Sequence, residues 1–303
     1  MGIPSCTLSI TSARPDAAFL ALIVRHLVRA CSFPFVERVL VMDTAPLAAR
    51  YFADPKLASM EQFRAIGEKL IHDGVIDRIA FPDYSPPARH SVYSKHLGAD
   101  HWETHDFRGT QVLGTMQQID QARGDYFLHF DSDILLFQKP GFNWVSEGIK
   151  LLTEIPEVMV ALPRPGPPRV DGQLKQPVAS YARDPRGFFR FKFISSRRFL
   201  IDRRKFEKIL PFKPLFVSWK RKLLSTFTRH SAMLNWEQMA TARMEQTSFI
   251  RADLDSQDAW TLHAPDHGPR FQAALPGIIN KLETGWFPPQ QAGDYDLRLE
   301  YWA

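Results

Sequence analysis

Two aspartates flanking a serine, Asp131-Ser132-Asp133, interrupt an otherwise apolar and aromatic run from Tyr126 to Phe137. Carboxylate oxygens are hard ligands that suit a divalent cation such as Mn2+ or Mg2+, and a cation in such a place can hold a diphosphate. Residues i and i+2 of an extended segment leave the same face of the backbone. The spacing therefore predicts that Asp131 and Asp133 converge on one ion or its water shell, while Ser132 points away or bonds locally. Burying an ionised carboxylate without a partner is costly, so a buried acidic pair implies a ligand. The plain alternative is a strand-to-loop turn with one aspartate capping a helix and the other solvated.

The elements that position this pair can be read from hydrophobic period and turn chemistry. Ser5 to Ile10 is expected to be a short strand, and Asp16 to Ala30 carries apolar residues at helical spacing behind Pro15. Val36 to Met42 is a second strand that ends in the turn Asp43-Thr44-Ala45-Pro46. A helix near Ala58 to Asp73, a strand at Val75 to Phe81 and a helix at Gly109 to Ala122 lead into the strand that ends at Asp131. Strands alternating with helices predict an α/β fold: a mostly parallel sheet with helices on both faces and ligands at the carboxyl ends of the strands. Asp43, Asp131 and Asp133 all fall at such ends. The second half is less regular. Pro163 to Pro168 is expected to be a loop excluded from helix and central strand near the passage from the first half to the second, and the two halves, residues 1–140 and 141–303, are expected to form one continuous domain.

With 303 residues, 45% of them hydrophobic, the chain can bury a substantial core, which excludes disorder over most of its length. The best apolar stretch, Ala17 to Val28, is cut by Arg25 and His26, so no bilayer-spanning segment is expected. The opening residues lack the basic and then apolar pattern of a signal peptide. Cys6 and Cys31 are too few for a disulfide framework and fit a reducing compartment, so the sequence reads as cytoplasmic. Charge is uneven: Arg186 to Arg229 holds fourteen Lys or Arg against Asp202 and Glu207, a net of +12 that leaves −7 for the rest. Bases interleaved with aromatics there suit an anionic membrane surface, at the inner face of the plasma membrane, or another polyanion. They also suit a strand and a solvated helix whose long side chains cover apolar surface. No helix-turn-helix, finger or ribonucleoprotein motif is present, so nucleic acid is not the expected partner.

The phrase from Arg108-Gly109-Thr110 through Ala122-Arg123-Gly124-Asp125-Tyr126 to Asp131-Ser132-Asp133 resembles bacterial glycosyltransferases of GT-A fold. The resemblance covers roughly the first 140 residues, including an opening strand and loop at Ser9 to Arg14. It implies a GT-A, Rossmann-like first half that binds a nucleotide-sugar donor, a UDP- or GDP-sugar, and a less regular acceptor half. It implies that Thr11, Arg14 and Arg108 contact the donor and that Asp43 bonds the base or ribose. Asp131 and Ser132 would sit on the ribose or a metal-bound water, and Asp133 would bind Mn2+ or Mg2+ directly. His263, at an expected strand end, would be a further metal ligand, in preference to His267 inside the following turn.

The same resemblance implies a base that takes the acceptor proton, about a hundred residues after the aspartates. Glu237 in Asn235-Trp236-Glu237-Gln238 matches that place, although Gln238 stands where a second acid is frequent, and Asp258 is a second candidate. A structural Glu237, paired with Arg243 or solvated, is the plain alternative. The acceptor would be a saccharide or lipid-linked hydroxyl in envelope polysaccharide synthesis. The aromatics at Trp286, Phe287, Tyr295, Tyr301 and Trp302 serve packing first and sugar stacking second. Two other classes stay open: a haloacid-dehalogenase-type phosphatase with Asp131 as nucleophile and Asp133 as acid, and a non-catalytic protein that docks on membranes or glycans.

Overall fold

The computed structural model describes residues 4–46, 57–175, 180–228 and 230–302. The first half alternates as its periodicity demands: β1 (Cys6–Ala13), α1 (Ala17–Cys31), β2 (Glu37–Asp43), α2 (Met60–His72), β3 (Arg78–Ala80), α3 (Pro86–Leu97), α4 (Leu113–Gln121) and β4 (Tyr126–Asp131). Then follow β5 (Ile134–Gln138), α5 (Trp144–Glu154), β6 (Val158–Leu162), β7 (Arg164–Pro165), β8 (Ala182–Asp184), β9 (Phe188–Phe191) and β10 (Arg198–Asp202). The chain continues through α6 (Arg203–Glu207), α7 (Trp219–Thr228), α8 (Trp236–Glu245), β11 (Ile250–Leu254), β12 (Ala259–His263) and α9 (Pro269–Glu283).

One sheet of nine strands runs β3-β2-β1-β4-β10-β6-β11-β9-β8, and a second runs β5-β12-β7. The four strands of the first half are mutually parallel. β10 enters antiparallel between β4 and β6, β11 is parallel to β6, and β9 and β8 close the edge antiparallel. Alternation along each strand splits the core into two layers. Leu8 and Ile10 of β1, Leu128 and Phe130 of β4, and Leu200 of β10 pack with α1, α5 and α9. Phe127, Phe199 and Ile201 point the other way, toward α3, α4 and α8. Helices therefore cover both faces, which buries the parallel strands as such sheets require.

The expected α/β class is the class observed, and the expected first-half elements recur with ends shifted by a few residues. α3 was not anticipated. Its start is set by Pro86 and Pro87 in the first turn and its stop by Gly98 at φ +70. The helix expected from Gly109 begins only at Leu113, because His105 and Gln111 bridge across a loop that uses up the intervening residues. Inside the proline cluster, Arg164 and Pro165 pair with β12 at a sheet edge, where a missing N–H is tolerated.

The basic segment is corrected in its first part. Phe188, Phe189 and Phe191 are buried. Arg186 and Arg190 pair with Asp184, Lys192 donates to the carbonyls of Thr247 and Phe249, and Arg204 meets Asp125. Arg198 is buried over the Tyr295 ring. These cations have partners within the fold, although Arg186, Lys192 and Arg204 stay solvent-exposed. A further exposed cationic group lies in and around α7; Arg229 is outside the described residues.

Candidate active site

The chain lays β1, β2 and β3 side by side in one direction and then returns to place β4 on the other side of β1. That reversal makes a topological switch point at the carboxyl ends of β1 and β4, the place where open α/β sheets bind ligands. Asp131 is the last residue of β4, in register with Thr11. Its N–H donates to the Arg197 carbonyl at 2.7 Å, and the Ser132 N–H donates to the Thr11 carbonyl at 2.9 Å.

The two aspartates do not share a strand face. β4 stops at Asp131, Ser132 and Asp133 form a turn, and β5 begins in the second sheet, so the turn sets their relation. Asp131 stays on the face of His129, whose Nε2 is 3.1 Å from its Oδ1. Asp133 turns toward β12. Burial raises the Asp131 carboxyl above its usual value although a third of its side chain meets solvent; His129 opposes this and the neighbouring Asp133 charge adds to it. Asp133 behaves oppositely: burial opposes its charge, but His263 and His267 outweigh burial and hold it well below the usual carboxylate range.

His263 closes β12 opposite Ile134, and its Nε2 is 3.4 Å from Asp133 Oδ2. Its Nδ1 lies 2.7 Å from Asp296 Oδ1 and 2.8 Å from Arg197 Nη1. A proton on Nδ1 satisfies Asp296 and opposes the guanidinium. Nδ1–H pairs with the Asp296 carboxylate, and the protonated ring also turns Nε2–H toward Asp133; a metal bound on that side would take the place of the Nε2 proton. Burial disfavours the charged ring, but Asp133 and Asp296 together raise its pKa. Tyr295 stacks on the ring at 5.9 Å. His267, expected merely in a turn, also reaches the cluster: Nε2 is 3.6 Å from Asp133 Oδ2 and 2.9 Å from the Ala264 carbonyl, while Nδ1 is 3.6 Å from Asp16.

Asp16 completes the cluster. Its Oδ2 accepts from the Ala13 N–H at 2.9 Å and from the Ser132 hydroxyl at 2.8 Å, and burial pushes its carboxyl up to about 6. Arg14 stands beside it in the same turn with its Nε buried and unbonded. Thr11 donates through Oγ1 to Gln118.

A divalent cation fits this place on one observation: Asp133 Oδ1 is buried with no hydrogen-bond partner. An orphaned anionic oxygen beside an imidazole whose far nitrogen is held by a carboxylate is the donor set of a metal ligand with its outer support. Among the described residues, no three His, Cys, Asp or Glu side chains converge on one point as they stand. Asp133 and His263 face each other, whereas Asp131 is drawn toward His129.

The other expected site residues are distributed unevenly. Asp43 ends β2, but Tyr84 donates to its Oδ1 at 2.6 Å, the Ala45 N–H bonds the same oxygen and His105 Nε2 is 3.0 Å from Oδ2. Burial opposes its charge, yet His105 and these donors hold its pKa low. Both oxygens are engaged by protein, so Asp43 braces the 101–112 loop. Arg108 lies exposed on that loop, over the Phe107 ring.

Glu237 accepts from the Ser196 N–H at 2.7 Å and the Ser196 hydroxyl at 3.0 Å, one residue before Arg197. Arg243, its imagined partner, donates to the Ile209 carbonyl instead. Asp258 is corrected. It lies at the opposite end of β12 from His263, paired with Lys139 at 3.2 Å, so strand length separates it from the cluster by about 15 Å. Trp302 is buried, Phe287 packs on Trp260, and of the late aromatics Tyr295 is the one placed on a site residue.

Sequence reasoning missed Asp16, Arg197 and Asp296. Asp16 could have been found by its place just after the first strand. Arg197 and Asp296 carry no local signal, since they reach His263 only through strand pairing and the bridge between His263 and Asp296.

No family model matches the sequence, and no curated protein matches it. Solved structures resemble it distantly. The mannosyltransferase PcManGT from Pyrobaculum calidifontis in complex with GDP-Man and Mn2+ is 10% identical with a TM-score of 0.46, over 96% of this chain and 68% of that one. GalNAc-T7 with UDP, GalNAc and Mn2+ is 8% identical with a TM-score of 0.46, over 91% of this chain and 48% of that one. TarS of S. aureus is 13% identical with a TM-score of 0.45, over 91% and 40%. This chain thus spans about half or less of the latter two.

Proposed function

We propose that the protein is a nucleotide-sugar-dependent glycosyltransferase of GT-A type. The observation that carries the reading is the orphaned Asp133 oxygen, placed with His263 where the parallel strands end at their topological reversal. Asp133 and His263 would hold Mn2+ or Mg2+, with Asp131 on the ribose or a metal-bound water. A divalent cation bound there supplies charge neutralisation for a departing nucleoside diphosphate. Arg14 and Arg197, both beside the cluster, add fixed positive charge, while Ser132 and Thr11, bonded to Asp16 and Gln118, would shape the floor on which the donor lies. Arg108, exposed over the Phe107 ring, would have to leave that ring to contact the donor.

Glu237 is the proposed base. Ser196 fixes its Oε2, leaving Oε1 to take the proton of the acceptor hydroxyl as that oxygen attacks the sugar carbon and the diphosphate leaves. The acceptor is a saccharide or lipid-linked hydroxyl, and any contact with membrane narrows to α7 and its flanks. The phosphatase alternative loses ground: Asp131, the would-be nucleophile, is tied to His129, and Asp133 is held ionised and is unsuited to act as an acid.

The test is thermal stability against a panel of nucleoside diphosphates, each with and without Mn2+, followed by turnover of the matching nucleotide-sugar. One nucleotide should raise the melting temperature only with metal, and Asp133→Ala should abolish that shift. Glu237→Gln should keep the shift and lose about a hundredfold or more in turnover, while Asp258→Asn should keep both. No metal-dependent shift with any nucleotide would sink the proposal.

A further inference from the structure

α7 is amphipathic in the reverse sense for a globular protein. Ser225 is 2% exposed and faces the body, whereas Trp219 is 72%, Leu223 60%, Leu224 58% and Phe227 81% exposed. At about 100° per residue, those four apolar positions cover one arc of the helix, and its middle lies opposite Ser225. A helix that folds onto a core buries such an arc; this one aims it away from the protein. Lys220 falls within the arc, and Arg221 and Lys222 flank it. No Asp or Glu occurs between Glu207 and Glu237, while six Lys or Arg do.

The helix is held in a fixed place. Val217 N–H donates to the Ala232 carbonyl at 2.9 Å and Leu234 N–H to the Leu215 carbonyl at 2.8 Å, closing the excursion at its base. Lys222 Nζ lies over the Phe216 ring at 4.1 Å. Phe107 N–H donates to the Met233 carbonyl, which ties that base to the loop bearing His105 and Arg108.

We infer that α7 is an interfacial helix that docks on an anionic lipid bilayer. Trp219, Leu223, Leu224 and Phe227 would enter the headgroup boundary, and Lys220, Arg221 and Lys222 would meet lipid phosphates. Trp and Phe beside cations on one short helix suit that boundary, where the long lysine stems reach back to the headgroups. Charge selects this occupant over a second copy of the chain, because two such acid-free faces repel each other. The inference stands on the helix alone and does not depend on glycosyl transfer.

Co-sedimentation of the full chain with phosphatidylglycerol–phosphatidylcholine vesicles, and with phosphatidylcholine alone, tests it. The wild type should bind the anionic vesicles, bind the neutral ones weakly and release as salt rises. Trp219→Ala with Phe227→Ala should lower partitioning at least about tenfold, and Lys220→Gln with Arg221→Gln about fivefold per charge. All four side chains are exposed, so melting curves of both variants should match the wild type, which separates lost docking from lost folding. Absence of wild-type binding at low salt overturns the inference. So does binding that neither variant weakens, or a dimer in light scattering that the apolar double variant dissolves.

Discussion

Asp16 and Asp133 face each other across Ser132, and the same buried environment moves their carboxyls in opposite directions. Asp133 has two imidazoles and stays ionised; Asp16 has two neutral donors, and burial raises it to about 6. An unfolded aspartate releases its proton near pH 4. Between those values the folded state binds more protons than the unfolded one, so Asp16 makes stability fall as pH rises through the window and then level off. Asp16→Asn keeps an acceptor oxygen for both donors and removes the buried charge. Denaturation of the metal-free protein at a series of pH values should show the variant gaining on the wild type from pH 4 to 7, by about 3 kcal/mol at the plateau. A constant difference across that range would mean that Asp16 ionises normally. Both aspartates of the Asp131 pair were legible in the sequence because their type and spacing are local facts. Asp16 was passed over as a helix-start residue, since its role depends on a hydroxyl 116 positions away.

At the scale of elements, β4 is aligned by its entry as well as by its exit. Gly124 packs so tightly against the neighbouring strand that an added Cβ would meet the Thr7 nitrogen at 2.6 Å and the Cys6 carbonyl carbon at 2.8 Å. Those are backbone atoms and cannot swing aside. Gly124→Ala should therefore destabilise by about 2–4 kcal/mol, read as a lower melting temperature, and should weaken nucleotide binding through the displaced end of β4. A variant that melts with the wild type would show that the strand entry can relax. The Gly-Asp-Tyr phrase thus has a packing reason that its bare sequence did not disclose. The strand end at Asp131 was expected, but the shared face of Asp131 and Asp133 was not met, because the turn between them leads into a second sheet that only strand pairing reveals.

The whole molecule does not divide where its composition changes. β10, from the second half of the chain, pairs directly with β4, and the layer under β1 and β4 includes Trp260, Phe271 and Leu275. A fragment ending at residue 140 would expose the edge of β4 and lose one side of its core. It should be insoluble or melt without a cooperative transition by circular dichroism, whereas the full chain should melt with one. A cooperative, soluble fragment would restore the boundary that the sequence suggests.

What the sequence determined by itself is what depends on nearest neighbours along the chain: the alternation of strands and helices, the α/β class, and the acidic pair at a strand end. The tertiary structure alone decided which imidazoles, guanidinium and carboxylates gather around Asp133, that Asp258 stands apart, and that most cations from Arg186 to Arg204 find partners within the fold. The reason is that strand order and register are set by which apolar faces can be buried together. Residues as distant as Asp16, Asp133, His263 and Asp296 become neighbours only once that burial has been solved for the entire chain.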